Sequence, residues 1–274
     1  MSRLPAAAKI NLALVVGPRR ADGLHELTTV MQRVDLCDEV QLEPARELTV
    51  AGFAHDTIVR SALERLAMVA GTRPGWRASI RKEIPVAAGL AGGSADAAAA
   101  LVLANATLPS PLPREGLLEV AASVGADVPF FLEPGPKLAE GAGERLVPLE
   151  LPQDYWILLA LPRRARKAST GDVYARFDEM RGADGFEERR QTLLEAVAAV
   201  RRPRDFAAFP PNDLAAAVGG APLAEELRSA GAFRADLSGA GPAVFGLFHR
   251  LEDAKAARGR LRRAARSWVA APVW

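Results

Sequence analysis

One segment constrains this chain more than any other. In IPVAAGLAGGSADAAAALVLAN, residues 84–105, the glycines Gly89, Gly92 and Gly93 run directly into an alanine-rich stretch. Glycine frees the backbone and alanine has the highest helix propensity, so the segment predicts a loop feeding a helix that begins near Ser94. A helix start leaves backbone N–H groups unpaired and carries a partial positive charge, which suits an anion. Two common nucleotide loops are excluded, because there is no G-K-[ST] and the glycine spacing does not fit G-x-G-x-x-G. On the loop alone two readings stay open: an anion cradle, or a glycine-rich turn capped by Ser94 with Asp96 favourable in the first helical turn.

Upstream, the apolar residues Ile10, Leu12, Leu14 and Val16 alternate, which predicts a strand whose other face carries Lys9 and Asn11 together. Strand-like runs follow at 26–36, 39–42 and 76–82, and His55 and Asp56 introduce a helix with Ile58, Ala62, Leu66 and Val69 on one side. Pro113 is placed as the first residue of a helix that ends near Val124. After a Pro-containing linker, YWILLALP opens a fresh buried strand, then helices near 172–180, 186–200 and 223–230, two strands flanking SGAGP, and a closing helix. This mixed order argues for an α+β fold, and 274 residues are enough for two domains, 1–152 and 153–274.

Thirty-five basic and 33 acidic residues leave a formal charge of +2, so no nucleic-acid partner is implied. The basic clusters at 163–167 and 258–266 read as solvated faces. A single cysteine, Cys37, forms no internal disulfide; it fits a reducing compartment and reads as buried filler. Lys9 and Asn11 interrupt the apolar N-terminal run short of the length of a signal peptide or membrane span, so a soluble, cytoplasmic chain without a membrane partner is expected.

Three segments, AAKINL (7–12), PVAAGLAGGSADAA (85–98) and LSGAGPAVF (237–245), resemble in order and spacing the motifs of the galactokinase, homoserine kinase, mevalonate kinase and phosphomevalonate kinase superfamily. RADGLHEL (20–27), GADVPFFL (125–132) and GAGERLVPL (141–149) resemble the branch whose acceptor alcohol carries a cytidine diphosphate. The resemblance spans residues 5 to about 248 and is weakest over 175–230. It implies an N-terminal domain like ribosomal protein S5 domain 2 that binds ATP, a C-terminal ferredoxin-like domain on the substrate side, and a site between them. The implied reaction is ATP-dependent phosphorylation of the substrate's 2-hydroxyl, on the non-mevalonate route to isoprenoids.

By the same resemblance, Asp127 is the catalytic aspartate and Lys9 its partner lysine, which would hold the carboxylate ionised and orient the hydroxyl. Pro85, Val86, Ala87, Ala88, Gly89, Leu90, Ala91, Gly92, Gly93, Ser94 and Ala95 form the ATP phosphate loop, and Asp56 aligns with an adenine-facing asparagine. Substrate contacts fall on Asn11, on the cytosine-reading His25, on Thr170 and Tyr174, and on the second glycine turn at Ser238, Gly239, Ala240 and Gly241. Three residues depart from the pattern. Leu24 replaces a tyrosine and makes one wall of the base site aliphatic. Ala91 and Ala95 replace glycine and serine, leaving Ser94 as the loop's hydroxyl and magnesium to ride on the ATP phosphates rather than on a protein metal site. Asp56 replaces the asparagine, so it accepts but cannot donate. Two alternatives share the loop: a relative acting on a homoserine- or mevalonate-type alcohol, and a nucleotide-binding protein without catalysis. His25 with the Asp127 motif argues against the first, and Lys9 together with Asp127 against the second.

Overall fold

A computed structural model describes residues 1–53, 58–164 and 169–274. Asp56, the helix start expected at His55 and Asp56, and part of the basic run 163–167 lie outside the described residues. In chain order the elements are β1 (Ser2–Arg19), β2 (His25–Pro44), β3 (Thr49–Ala51), α1 (Ile58–Val69), β4 (Trp76–Arg81), α2 (Gly92–Asn105), α3 (Arg114–Val124), α4 (Val128–Leu132), β5 (Lys137–Gly141), β6 (Arg145–Pro148) and β7 (Trp156–Pro162). There follow α5 (Thr170–Glu179), α6 (Phe186–Ala199), a 3-10 turn (Pro203–Ala208), α7 (Ala215–Val218), α8 (Pro222–Ser229), β8 (Arg234–Leu237), β9 (Val244–Phe248), α9 (Leu251–Leu261), β10 (Ala265–Ala270) and β11 (Pro272–Val273). The fold is α+β.

Two compact units interleave along the chain: residues 1–8, 36–86 and 91–134 make one, and 9–35, 87–90 and 135–274 the other. The first strands β1 and β2 run through both. In the first unit the second half of β2 pairs antiparallel with β4, and β3 pairs parallel with β4. Helices α1 to α4 bury a core of Val40, Leu42, Leu63, Leu66, Trp76, Ile80, Leu101 and Val128 against this ladder. The expected face of α1 is corrected. Its buried stripe is Val59, Ala62, Leu63, Leu66 and Ala67, while Ile58 and Val69 are exposed. Residues 59, 63, 66 and 67 follow the i, i+4, i+7, i+8 spacing of a wide helical stripe, and 58 and 69 fall beyond its edges.

In the second unit the first half of β2 pairs with β5, β5 with β6, and β11 with β2. A separate antiparallel sheet in the order β10-β7-β9-β8 carries α8 and α9, with Leu158, Leu223, Leu227, Val244, Phe248 and Leu261 buried between. Buried Arg234 ties this unit together: it donates to the carbonyls of Leu12, Phe206, Phe209 and Pro210, and burial pulls its pKa down to about 10. Four carbonyl acceptors satisfy a charge that would otherwise be costly to bury. Cys37 is half-buried rather than core filler, in a stretch of β2 where Asp35 is exposed and Leu36 half-buried. Among the described residues no helix is long and apolar enough to cross a membrane.

Candidate active site

Within the second unit, residues 87–90 lie backbone to backbone against the turn that follows β8. The Ser238 hydroxyl, fully buried, donates to the Gly89 carbonyl at 2.9 Å and accepts from Asn11 N–H at 3.3 Å. Ala243 N–H donates to Ala88 O at 3.0 Å, and Lys9 N–H to Leu90 O at 3.1 Å. This approach requires glycine on both sides. A Cβ on Gly89, whose φ is +88°, would stand 2.0 Å from Ser238 O, and one on Gly241 would stand 2.2 Å from the Ala88 carbonyl carbon. Gly239 also takes a positive φ. Ala87 and Ala91 adopt left-handed φ values of 54° and 53°, a conformation that costs an alanine about 1 kcal/mol relative to glycine.

Within the first unit, α2 begins at Gly92, two residues ahead of Ser94. Its N-cap is Ala91, which has no side chain to cap with, so the expectation that Ser94 caps the helix is corrected; Ser94 sits inside the first turn. The first-turn N–H groups of Gly92, Gly93 and Ser94 donate to no partner among the described residues. Beneath that turn lies a charged group that sequence reasoning passed over. Lys82, just after β4, bonds Asp38 Oδ2 and, at 2.6 Å, Asp96 Oδ2. Asp38 Oδ1 also accepts from the N–H groups of Glu83 and Ile84 at 2.6 and 2.8 Å. Asp96 is 2% exposed and its Oδ1 has no partner among the described residues. Burial therefore pushes Asp96 up to about 7 against the pull of Lys82. Burial lowers the Lys82 ammonium, but its bonds to the two carboxylates outweigh that and hold it above its ordinary value.

Lys9 and Asn11 share a face of β1, as period-two geometry requires, and both are buried: Lys9 is 5% exposed. Lys9 Nζ donates to Asn11 Oδ1 at 2.7 Å, Asn11 Nδ2 to Thr29 Oγ1 at 2.8 Å, and Thr29 Oγ1 to Ala13 O at 2.6 Å. The chain fixes the Asn11 amide orientation and holds a cation with its stem inside the protein. Asp127 occupies the N-cap position of the one-turn helix α4, half-buried, with Pro129 two residues on; its carboxylate does not cap the helix.

His25 opens β2 after the turn at 20–24, where Leu24 is exposed. One helix surrounds its imidazole. Tyr174 lies tilted against it with ring centroids 4.8 Å apart and an interplanar angle of 31°, Phe177 meets it edge-on at 6.2 Å, and Asp178 Oδ1 lies 2.8 Å from Nε2. Thr170, the first residue of α5, is exposed beside the capping box that Ser169 and Asp172 form.

Lys82, Asp38, Thr29 and Asp178 were missed in the sequence. Asp178 alone had a usable signal, since it lies i+4 from Tyr174 and so on the same helical face.

Residues 57–135 match the family of GHMP kinases N terminal domains, and residues 221–267 the GHMP kinases C terminal family. A crystal structure of mevalonate kinase shares the fold at a TM-score of 0.77 with 12% identity, over 100% of this chain and 99% of that one. Fold and paired domains thus define the class, a GHMP kinase. A crystal structure of 4-(cytidine 5'-diphospho)-2C-methyl-D-erythritol kinase superposes with a TM-score of 0.81 at 30% identity, over 100% of both chains. The 4-diphosphocytidyl-2-C-methyl-D-erythritol kinase of Geobacter sulfurreducens is 38% identical across 98% of this chain and 97% of its own length; that of Nocardia farcinica is 40% identical across 86% and 81%. This chain belongs to the 4-diphosphocytidyl-2-C-methyl-D-erythritol kinase family.

Proposed function

We propose that this chain transfers the terminal phosphoryl group of ATP to the 2-hydroxyl of 4-diphosphocytidyl-2-C-methyl-D-erythritol, giving ADP, in the non-mevalonate synthesis of isoprenoid precursors. The observation that carries the reading is likeness over nearly the whole length to kinases of that name, 38% across 98% of the chain.

Phosphoryl transfer needs in-line alignment and neutralisation of charge spreading over the phosphate oxygens. Residues 85–95 serve the second need. The unspent N–H groups of Gly92, Gly93 and Ser94 and the positive end of α2 face an anion with backbone donors, so the two alanines that replace glycine and serine cost no ligand. Asp127 receives the hydroxyl proton, and Lys9 supplies the positive charge that orients the hydroxyl. The bonds from Lys9 through Asn11 to Thr29 support a cation held ready in one conformation. His25 reads the cytosine, with Asn11, Thr170, Tyr174, Ser238, Gly239 and Gly241 as further substrate contacts, and Asp56, outside the described residues, is assigned to adenine. Residues 1–152 form the ATP-binding domain, which also carries His25 and Asn11, and 153–274 the substrate-side domain.

In this reading the loop helix offers no resident metal site among the described residues. Asp96, the acidic residue of the loop helix, is committed to Lys82, and no group of three metal-binding side chains occurs among the described residues. In this reading magnesium rides on the ATP phosphates. The single cysteine fits a reducing, cytoplasmic setting.

ADP release by the purified protein with magnesium and ATP, measured across the cytidine-bearing alcohol, homoserine and mevalonate, tests the reading. Release with the first alone is expected. Release with another alcohol and none with the first would overturn it.

A further inference from the structure

Tyr174, Phe177 and Asp178 occupy one face of α5 at i, i+3 and i+4, and all three meet His25. The imidazole is therefore clasped rather than free to turn. Tyr174 covers one face at 4.8 Å, so a base does not slide between the two rings, and only the ring edge is left to read a partner. That edge has two nitrogens. A carboxylate at neutral pH accepts hydrogen bonds and cannot donate, so the 2.8 Å contact with Asp178 requires that Nε2 carry the proton. Asp178 is 41% exposed in its side chain, so its second oxygen can be reached by water. Nδ1 has no hydrogen-bond partner among the described residues and, in the neutral ring, presents a lone pair.

We propose that Asp178 is a positioning residue that holds His25 in the Nε2–H tautomer, so that Nδ1 accepts from the exocyclic amino group of cytosine and turns away the carbonyl oxygen that uracil presents at the same place. The inference rests on His25 being the base-reading residue. Cytosine and uracil differ there by donor against acceptor, and a lone pair facing a carbonyl gains nothing while both lose water. A site built this way rejects the wrong base more strongly than shape alone allows. Helix α5 thus acts as a specificity element through a residue that never touches substrate.

The test compares the parent enzyme with D178N and H25A, using acceptor alcohols that differ only in carrying cytidine or uridine diphosphate. Asparagine keeps the size of aspartate but can accept from or donate to Nε2, which releases the tautomer. We expect the cytidine-to-uridine ratio of kcat/KM to fall roughly tenfold or more in D178N, through KM for the acceptor, with KM for ATP unchanged. Nitrogen NMR of histidine-labelled protein gives a readout independent of turnover: His25 carries its proton on Nε2 in the parent and on a mixture of nitrogens in D178N. A parent protonated on Nδ1, or a D178N enzyme of undiminished selectivity beside an H25A enzyme that has lost it, would overturn the role of Asp178 alone. An H25A enzyme that keeps its base selectivity would instead overturn the reading of His25.

Discussion

At the scale of single residues, the chemistry rests on side chains whose freedom the fold has removed. Lys9 is buried as a cation yet tied through Asn11 to Thr29, so its charge stands in one place. Replacing Asp127 by asparagine leaves the size and removes the proposed proton acceptor. Turnover of D127N is expected to fall roughly a hundredfold or more, with ATP affinity by calorimetry retained; an unchanged rate would remove Asp127 from the proton transfer. Gly89 is a position where only the absence of a side chain works. Its Cβ would meet Ser238 O at 2.0 Å with φ at +88°, so G89A is expected to lose at least about 2 kcal/mol in urea denaturation. An alanine variant of parental stability would show that residues 87–90 stand off the Ser238 turn.

At the scale of elements, α2 is the piece that sequence reasoning located correctly in kind and misjudged at its start. Alanine content made the helix legible, but the cap was not, because Ala91 takes a left-handed conformation that glycine ordinarily supplies and that local propensity argues against. The Lys82 group was illegible for another reason: Asp38, Lys82 and Asp96 are 44 and 14 residues apart, and it takes the pairing of β2 with β4 and the packing of α2 against β4 to bring them together. That group has a pH consequence. The folded protein holds the Asp96 proton more tightly than the unfolded chain, so the stability it contributes is full below about pH 4 and is lost as pH rises through about 7. D96N removes the titration. Its melting temperature is expected to vary less than the parent's between about pH 5 and pH 8; equal slopes would show that Asp96 does not titrate there.

At the scale of the whole molecule, the α+β class and most helices could be read from periodicity, while the terminal strands could not. The stretch that forms β10 and pairs with β7 follows a run of arginines and lacks alternation, so its strand character comes from the partner and not from local pattern. Likewise β2 is one strand of 20 residues where the sequence suggested two, because Cys37 and Asp38 break the apolar pattern without breaking the ladder. The motifs were legible because each sits at a loop or strand end where residue type is dictated by the backbone: Gly89 against Ser238, Gly241 against Ala88. What binds these parts into one function is the proposed transfer of phosphate to a single hydroxyl of a cytidine-bearing alcohol. Phosphorus NMR of the product made from ATP and 4-diphosphocytidyl-2-C-methyl-D-erythritol tests this most directly. A new phosphomonoester coupled to carbon 2, absent with D127N, is the expected result; no new phosphoester, or one on a different hydroxyl, would contradict it.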